Sequence, residues 1–445
     1  MLFCDIDYLD ADFEVAHGYV GVEDGRITYV GEGDPANNTG LSAGGAPAGI
    51  TARDYGERYS GAGKLLIPGL YNAHTHAPMT LLRGYGENLS LQDWLNTRIF
   101  PFEAKITDEA AYPATQLAIA EMLRFGTVSF SDMYYFSDAR AQAIASSGIK
   151  ANISHGVIVF DDTNYSDLPN KAVAEHLVDA YHNTHNGRLK VDFCIHTEFT
   201  TTPKVVEAVG QAAVDFGVGT QIHLSETQRE HEECKQRRDG KTPAQYFESL
   251  GFFRQPCSAA HCVWSEPGDW ELFKRNNVTA VCNPASNMKL ASGYAPIPQM
   301  LEAGVRVALG TDGVASNNSH NLLKDLYLFA LIYKGSSGDP TVVTPADALR
   351  AATLAGAQSQ GRGADCGTIA PGNHADLVVL DTAVPWMQPM TSPLSNLVYS
   401  AQGSDVVLTM VDGTVLYRDG IWPTIDVERA IHETAQHTRA IIASL

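Results

Sequence analysis

Between Leu66 and Asp312 short apolar runs alternate with stretches whose apolar residues recur at helical spacing. That alternation is the signature of parallel β/α architecture. Eight runs read as strands, the number that closes a barrel. They end near His76, Asp132 (after Thr127-Val128-Ser129-Phe130), His155 (after Ala151-Asn152-Ile153) and His196 (after Val191-Asp192-Phe193-Cys194). The other four end near His223 (after Gly219-Thr220-Gln221-Ile222), His261, Asn283 (after Ala280-Val281-Cys282) and Asp312 (after Val305 to Leu309). Each run stops at a residue able to bind a metal, move a proton or make a polar contact. In this architecture the C-terminal strand ends form the active-site face.

The pattern changes towards both termini. From Val15 to Val30 apolar residues alternate around Asp24-Gly25, a favoured tight-turn pair, which predicts a β-hairpin. Gly31 to Ile50 is rich in Gly, Ala, Asn and Pro and reads as a loop. Strands are expected again over 375–380, 406–411 and 414–417, with Asp412-Gly413 as the last turn. These pieces are too short to form separate cores, so they are expected to pack together. The fold class is therefore α/β: a (β/α)8 TIM-type barrel over 66–370. Beside it stands a small β-sandwich domain built from residues 1–65 and 371–445, the latter with a C-terminal helix.

Composition narrows the function classes. The 445 residues are 44% hydrophobic and 18% charged, enough for a large core. With 31 Lys+Arg against 51 Asp+Glu, the formal charge of -20 repels phosphate backbones, and no basic run suggests nucleic-acid binding. The first residues lack the basic and apolar parts of a signal peptide, and no apolar stretch approaches membrane-spanning length. Seven scattered cysteines are not a disulfide framework and fit a reducing cytoplasm. A homo-oligomer is compatible with all of this.

The candidate chemistry begins in Leu66-Ile67-Pro68-Gly69-Leu70-Tyr71-Asn72-Ala73-His74-Thr75-His76. Residues two apart on a strand point the same way, so His74 and His76 can face one ion. With His223 and Asp312 they offer three nitrogens and one oxygen to a divalent metal, zinc being the best match, with room for a water. Any one of them could be a core residue; their joint placement at strand ends argues otherwise. Glu226, three residues after His223, can reach the same mouth as a proton donor, or can be a helix N-terminal charge. His261 and Asp312 can orient the bound water and take its proton. Other features are set aside. His182 and His185 read as solvated, His231-Glu232-Glu233 lacks a second histidine, and Cys257 and Cys262 read as buried thiols.

The stretch Pro68 to His76, the segment His223-Leu224-Ser225-Glu226, the His261 strand and Gly310-Thr311-Asp312-Gly313 resemble the amidohydrolase superfamily. Binuclear members carry a carboxylated lysine at the end of the fourth strand. This chain has His196 there and Lys190 at the strand's start, which implies a single metal. Leu91-Gln92-Asp93-Trp94-Leu95 and Pro101-Phe102-Glu103-Ala104-Lys105 are similar to the substrate loop of 5-methylthioadenosine/S-adenosylhomocysteine deaminases. The resemblance implies hydrolytic deamination of an adenine nucleoside by a metal-activated water, with Glu226 serving the ring nitrogen. It also implies that Glu103 binds ribose hydroxyls, His196 contacts the nucleoside and Trp94 lines the pocket near the 5′ group. Without the resemblance, Trp94 reads more readily as core and Glu103 equally as a surface charge. The alternative is a deaminase or chlorohydrolase of a guanine, pterin or triazine type. No arginine occurs between Arg140 and Arg188, and Asp161-Asp162 stand in that loop, which predicts a preference for neutral 5′ groups.

Overall fold

The computed structural model describes residues 1–35 and 54–445, so most of the loop expected over 31–50 lies outside the described residues. Eight parallel strands form the barrel. Strands one to four are Leu70–Thr75, Thr127–Tyr134, Lys150–His155 and Leu189–Val191, the last resuming as Phe193–Cys194. Strands five to eight are Thr220–Leu224, Cys257–His261, Val278–Cys282 and Val307–Leu309. The runs named from the pattern are all present, and their residues are almost wholly buried, as expected of strands covered on both faces.

Two seams close the ring. At strand four the Asp192 N–H donates to the Ile153 carbonyl (3.0 Å) and the Phe193 N–H to that of Gly219 (2.9 Å). Between strands eight and one, the Asp312 N–H donates to the His74 carbonyl (3.0 Å). Just below, Asn72 and Thr311 exchange two bonds of 2.7 and 3.0 Å. The seam therefore locks together the two strands that carry His74, His76 and Asp312. Helices follow the strands in β/α order; Pro203–Phe216, for example, starts on a proline and stops where Gly217 turns left-handed (φ 67°).

The terminal pieces are hydrogen-bonded into one mixed sheet. Its order is Thr414–Arg418, Val406–Val411, Leu377–Asp381, Lys64–Pro68, Leu2–Leu9, Val15–Glu23 and Arg26–Gly31, with Arg58–Ser60 paired to Leu2–Leu9. The reason is Lys64–Pro68, which pairs on both edges and joins the N-terminal strands to the C-terminal ones. Its side chains alternate: Leu65 and Ile67 enter the main core, whereas Leu66 packs with Phe3, Ile6, Leu377 and Met410. The chain passes from this sheet into the barrel at Gly69, where a Cβ would come within 2.4 Å of Val128. The C-terminal helix Val427–Ala443 packs on Asp108–Arg124.

Candidate active site

Three strand ends, those of strands one, five and eight, bring His74, His76, His223 and Asp312 together. His76 Nδ1 lies 2.5 Å from the Met133 carbonyl and His223 Nδ1 2.9 Å from that of His196. A carbonyl can only accept, so each ring carries its proton on Nδ1 and turns an Nε2 lone pair inward. These two Nε2 atoms face each other at 3.2 Å. His74 Nε2 is buried without a hydrogen-bond partner and sits 3.5 Å from Asp312 Oδ1, with His76 Nε2 3.2 Å from the same oxygen. Three imidazole nitrogens and one carboxylate oxygen thus converge, two of the nitrogens with lone pairs turned inward. Without a cation among them the arrangement is repulsive; with one it is a ligand set.

Their ionisation suits that role. Burial pushes His74 down to about 4 and His196 to about 3, and drives His223 well below the usual imidazole range with the neighbouring histidines adding to it. Burial pulls His76 the same way, but Asp312 outweighs it and the net shift is upward. Burial would raise Asp312, yet the contacts with His74 and His76 hold it well below the carboxylate norm. Its Oδ2 is fixed by the hydroxyls of Ser286 (2.7 Å) and Ser316 (3.0 Å), which leaves Oδ1 towards the imidazoles.

Across the cluster, Glu226 Oε2 stands 3.7 Å from His261 Nε2, and its Oε1 accepts from Ser292 Oγ (3.2 Å). Burial raises the Glu226 carboxyl, so it holds a proton more readily than a solvated glutamate. His261 is oriented from behind by Asn287 Oδ1 at 2.8 Å. Ser225, His261, Cys262 and Asp312 all take left-handed backbone angles (φ 49°, 73°, 50° and 62°). Such angles cost energy in non-glycine residues, and here they cluster where strands turn into the mouth.

The cluster floors a cavity of about 770 Å³, open to solvent. One wall is the segment 91–103, where a π-helical turn over Leu95–Ile99 separates Leu91–Trp94 from Phe100–Glu103. Trp94 is buried in an apolar cluster with Leu82 and Phe102 and also lines the cavity. Glu103 is not a solvated surface charge. It lines the cavity and accepts from the Tyr134 hydroxyl at 2.6 Å, and burial lifts its carboxyl to about 7. His196 lines the cavity too, its ring centre 4.9 Å from that of His223.

Several side chains essential to this arrangement were not singled out from the sequence. The Glu230 carboxylate accepts from the N–H groups of Ser225 (3.1 Å) and Glu226 (2.8 Å), clamping the turn that carries Glu226. Its spacing three residues after the helix cap Thr227 was a legible signal. Ser292, Asn287 and Tyr134 carried none. Among the described residues His231 joins no metal cluster; it is buried between Ser225 Oγ and Glu266 Oε1, at 3.1 Å from each. His182, expected to be solvated, is half-buried and accepts from the Val191 N–H at 3.1 Å, whereas His185 is exposed. Cys257 and Cys262 are buried free thiols. Asp161 and Asp162 are exposed and do not line the cavity.

Fold and site together define a hydrolase-type barrel with a buried histidine–carboxylate cluster at its mouth, and the amidohydrolase family description matches residues 65–416. The chain belongs to the amidohydrolase family. It is 38% identical over 432 residues to a 5'-deoxyadenosine deaminase of Methanosarcina acetivorans, covering 97% of this chain and 95% of that one. It is 39% identical over 415 residues to a 5-methylthioadenosine/S-adenosylhomocysteine deaminase of Moorella thermoacetica, covering 93% of each. The solved structure of an adenosine deaminase from Xanthomonas campestris with bound zinc is similar at a TM-score of 0.88 and 30% identity, over 99% of both chains.

Proposed function

We propose that this chain is a zinc-dependent aminohydrolase that converts an adenine nucleoside into the inosine-type product and ammonia. The observation that carries the proposal is the convergence of three imidazole nitrogens and the Asp312 carboxylate, with Glu226, whose carboxyl burial raises, across from them. His74, His76, His223 and Asp312 would hold the ion. When bound, zinc supplies the Lewis acidity that brings a coordinated water's pKa towards neutrality.

The remaining work falls to the chain. Water adds at C6 of the purine and the amino group leaves as ammonia. Glu226, across from Asp312, delivers a proton to N1, which makes the ring electrophilic. His261 and Asp312 orient the attacking water, and Asp312 takes its proton and passes it to the departing amino group, while Glu226 regains a proton as the C6 hydroxyl becomes the carbonyl. Trp94 and the apolar wall around it exclude bulk water, and His196 contacts the nucleoside. Glu103, steadied by Tyr134, accepts the ribose hydroxyls; this carboxylate favours a nucleoside over the free bases of a guanine-, pterin- or triazine-type enzyme.

The cavity wall narrows the substrate further. Among the described residues no lysine or arginine lines it, while Glu103, Glu226 and Asp312 do. A carboxylate at the 5′ end would enter without a partner, which is costly in a largely apolar site. Neutral 5′ groups, as in adenosine, 5′-deoxyadenosine or 5′-methylthioadenosine, are therefore favoured over S-adenosylhomocysteine. The cause is the wall itself, since the acids of the 161–162 loop lie outside it. Ammonia release from these four nucleosides and from free adenine, guanine and an aminated triazine tests the reading. Turnover confined to free heterocycles would refute it. Glu103→Ala should lower kcat/KM for ribonucleosides at least about tenfold, the scale of a lost charge-assisted hydrogen bond pair.

The division into a β unit of residues 1–65 with 371–445 and a barrel of 66–370 is part of the same proposal, the β strands pairing across the two segments. So is placement in the cytoplasm, supported by seven free cysteines. No helix among the described residues is long and apolar enough to cross a membrane.

A further inference from the structure

The end of barrel strand two reaches the site in two ways. The Met133 carbonyl accepts from His76 Nδ1 (2.5 Å), and the Tyr134 hydroxyl donates to Glu103 Oε1 (2.6 Å). Between them, the Asp132 carboxylate holds the residues on either side of His76: its Oδ1 accepts from the Ala77 backbone N–H (2.6 Å) and from the Thr75 side-chain hydroxyl (3.1 Å). What holds these three residues is one guanidinium. Arg140, wholly buried, makes five bonds, as many as its N–H donors. They go to Asp132 Oδ2 (2.7 Å) and to the carbonyls of Asp132 (3.2 Å), Tyr134 (3.0 Å), Tyr135 (2.7 Å) and Ser154 (2.8 Å). Carbonyls alternate along a strand, so drawing in those of residues 132 and 134 turns that of Met133 the other way, towards His76.

We propose that Asp132 and Arg140 are positioning residues that set the metal-binding end and the ribose-binding end of the pocket as one unit. The proposal rests on the reading of His76 as a zinc ligand and Glu103 as the ribose acceptor. Neither Asp132 nor Arg140 lines the cavity, so both act only through other residues. A pair serving merely as core filling would affect the stability of the fold and leave the folded molecules' affinities alone. A positioning pair alters zinc affinity and sugar discrimination together.

The test is Asp132→Asn, which keeps the volume but turns an amide towards the guanidinium. Zinc affinity is read by chelator competition on folded apoprotein, thermal melting reports the fold, and KM is compared for adenosine and 2′,3′-dideoxyadenosine. Zinc should bind about 10- to 100-fold more weakly, the scale for partners behind a ligating histidine. The preference for adenosine over the dideoxy substrate should shrink in the same variant. Glu103→Ala should shrink that preference without weakening zinc, which separates the two ends. Should Asp132→Asn not fold, Thr75→Val removes the hydroxyl that ties the residue before His76 to the Asp132 carboxylate and to the Ser131 carbonyl (2.9 Å), and a smaller loss of zinc affinity is expected. A folded Asp132→Asn or Thr75→Val with unchanged zinc affinity overturns the proposal. Wild-type protein that neither binds zinc nor deaminates a nucleoside would instead refute the reading beneath it.

Discussion

Two polar clusters lie towards opposite ends of the barrel. At the C-terminal end, His74, His76, His223 and Asp312 crowd together with lone pairs facing one another and one nitrogen unpartnered. At the N-terminal end, Lys150 at the start of strand three lies 2.6 Å from Asp376 and 2.7 Å from Asp412. Tyr71 donates to Asp376 (2.5 Å), His374 meets Asp412 (2.7 Å), and Arg26 closes on Asp365 (2.7 Å). Asp365, Cys366 and His374 are close enough together to hold an ion as well. There the protein already supplies its own cations. The lower cluster is satisfied and ties the barrel to the terminal sheet; the upper one is complete only with a ligand. What separates them is whether the charges are answered from within the chain.

Removing the acid from the upper cluster should have the largest effect. Glu226→Gln keeps the Ser292 contact and the volume but cannot shuttle a proton. We expect kcat to fall at least about a hundredfold, the usual scale of general acid–base catalysis, with zinc content unchanged. Loss of zinc instead would make Glu226 a ligand and blur the distinction between holding the ion and moving the proton.

The lower cluster should respond in the opposite manner. Lys150→Met leaves Asp376 and Asp412 facing each other, and a buried pair broken on one side costs about 3–5 kcal/mol. Denaturant unfolding should show that loss while kcat of the folded enzyme stays near wild type. A kcat collapse with stability intact would mean that the two ends are not independent.

A smaller effect comes from pH at the ribose end. Burial lifts the Glu103 carboxyl to about 7, so it is mostly protonated at pH 6 and mostly ionised at pH 8. The ionised form accepts both hydroxyls. KM for adenosine should therefore fall as pH rises through about 7, by up to roughly tenfold across two pH units, whereas KM for 2′,3′-dideoxyadenosine should not follow. Parallel pH profiles would move the titration away from Glu103.

The upper cluster was readable in the sequence because its signals are local. Apolar runs stop at His76, His223 and Asp312, and strand periodicity alone aligns His74 with His76. The (β/α)8 order followed from the same runs. Signals that depend on distant pairing were not readable. Nothing local in Lys64–Pro68 tells that it pairs on both edges and makes one sheet of the terminal pieces. Arg140 reads as an ordinary helix charge, although it lies fully buried among five acceptors. Glu103 is equally ambiguous until Tyr134 and the cavity are seen around it. The long-range partner decides each of these, and one chain's residue pattern does not name it.

The contrast between the clusters turns on where zinc binds, and metal analysis of purified protein measures that directly. We expect one zinc per chain in wild type and in His374→Ala, and almost none in His223→Ala, with all three proteins folded. Zinc retained by His223→Ala but lost from His374→Ala would place the ion at the wrong end of the barrel and contradict the assignment.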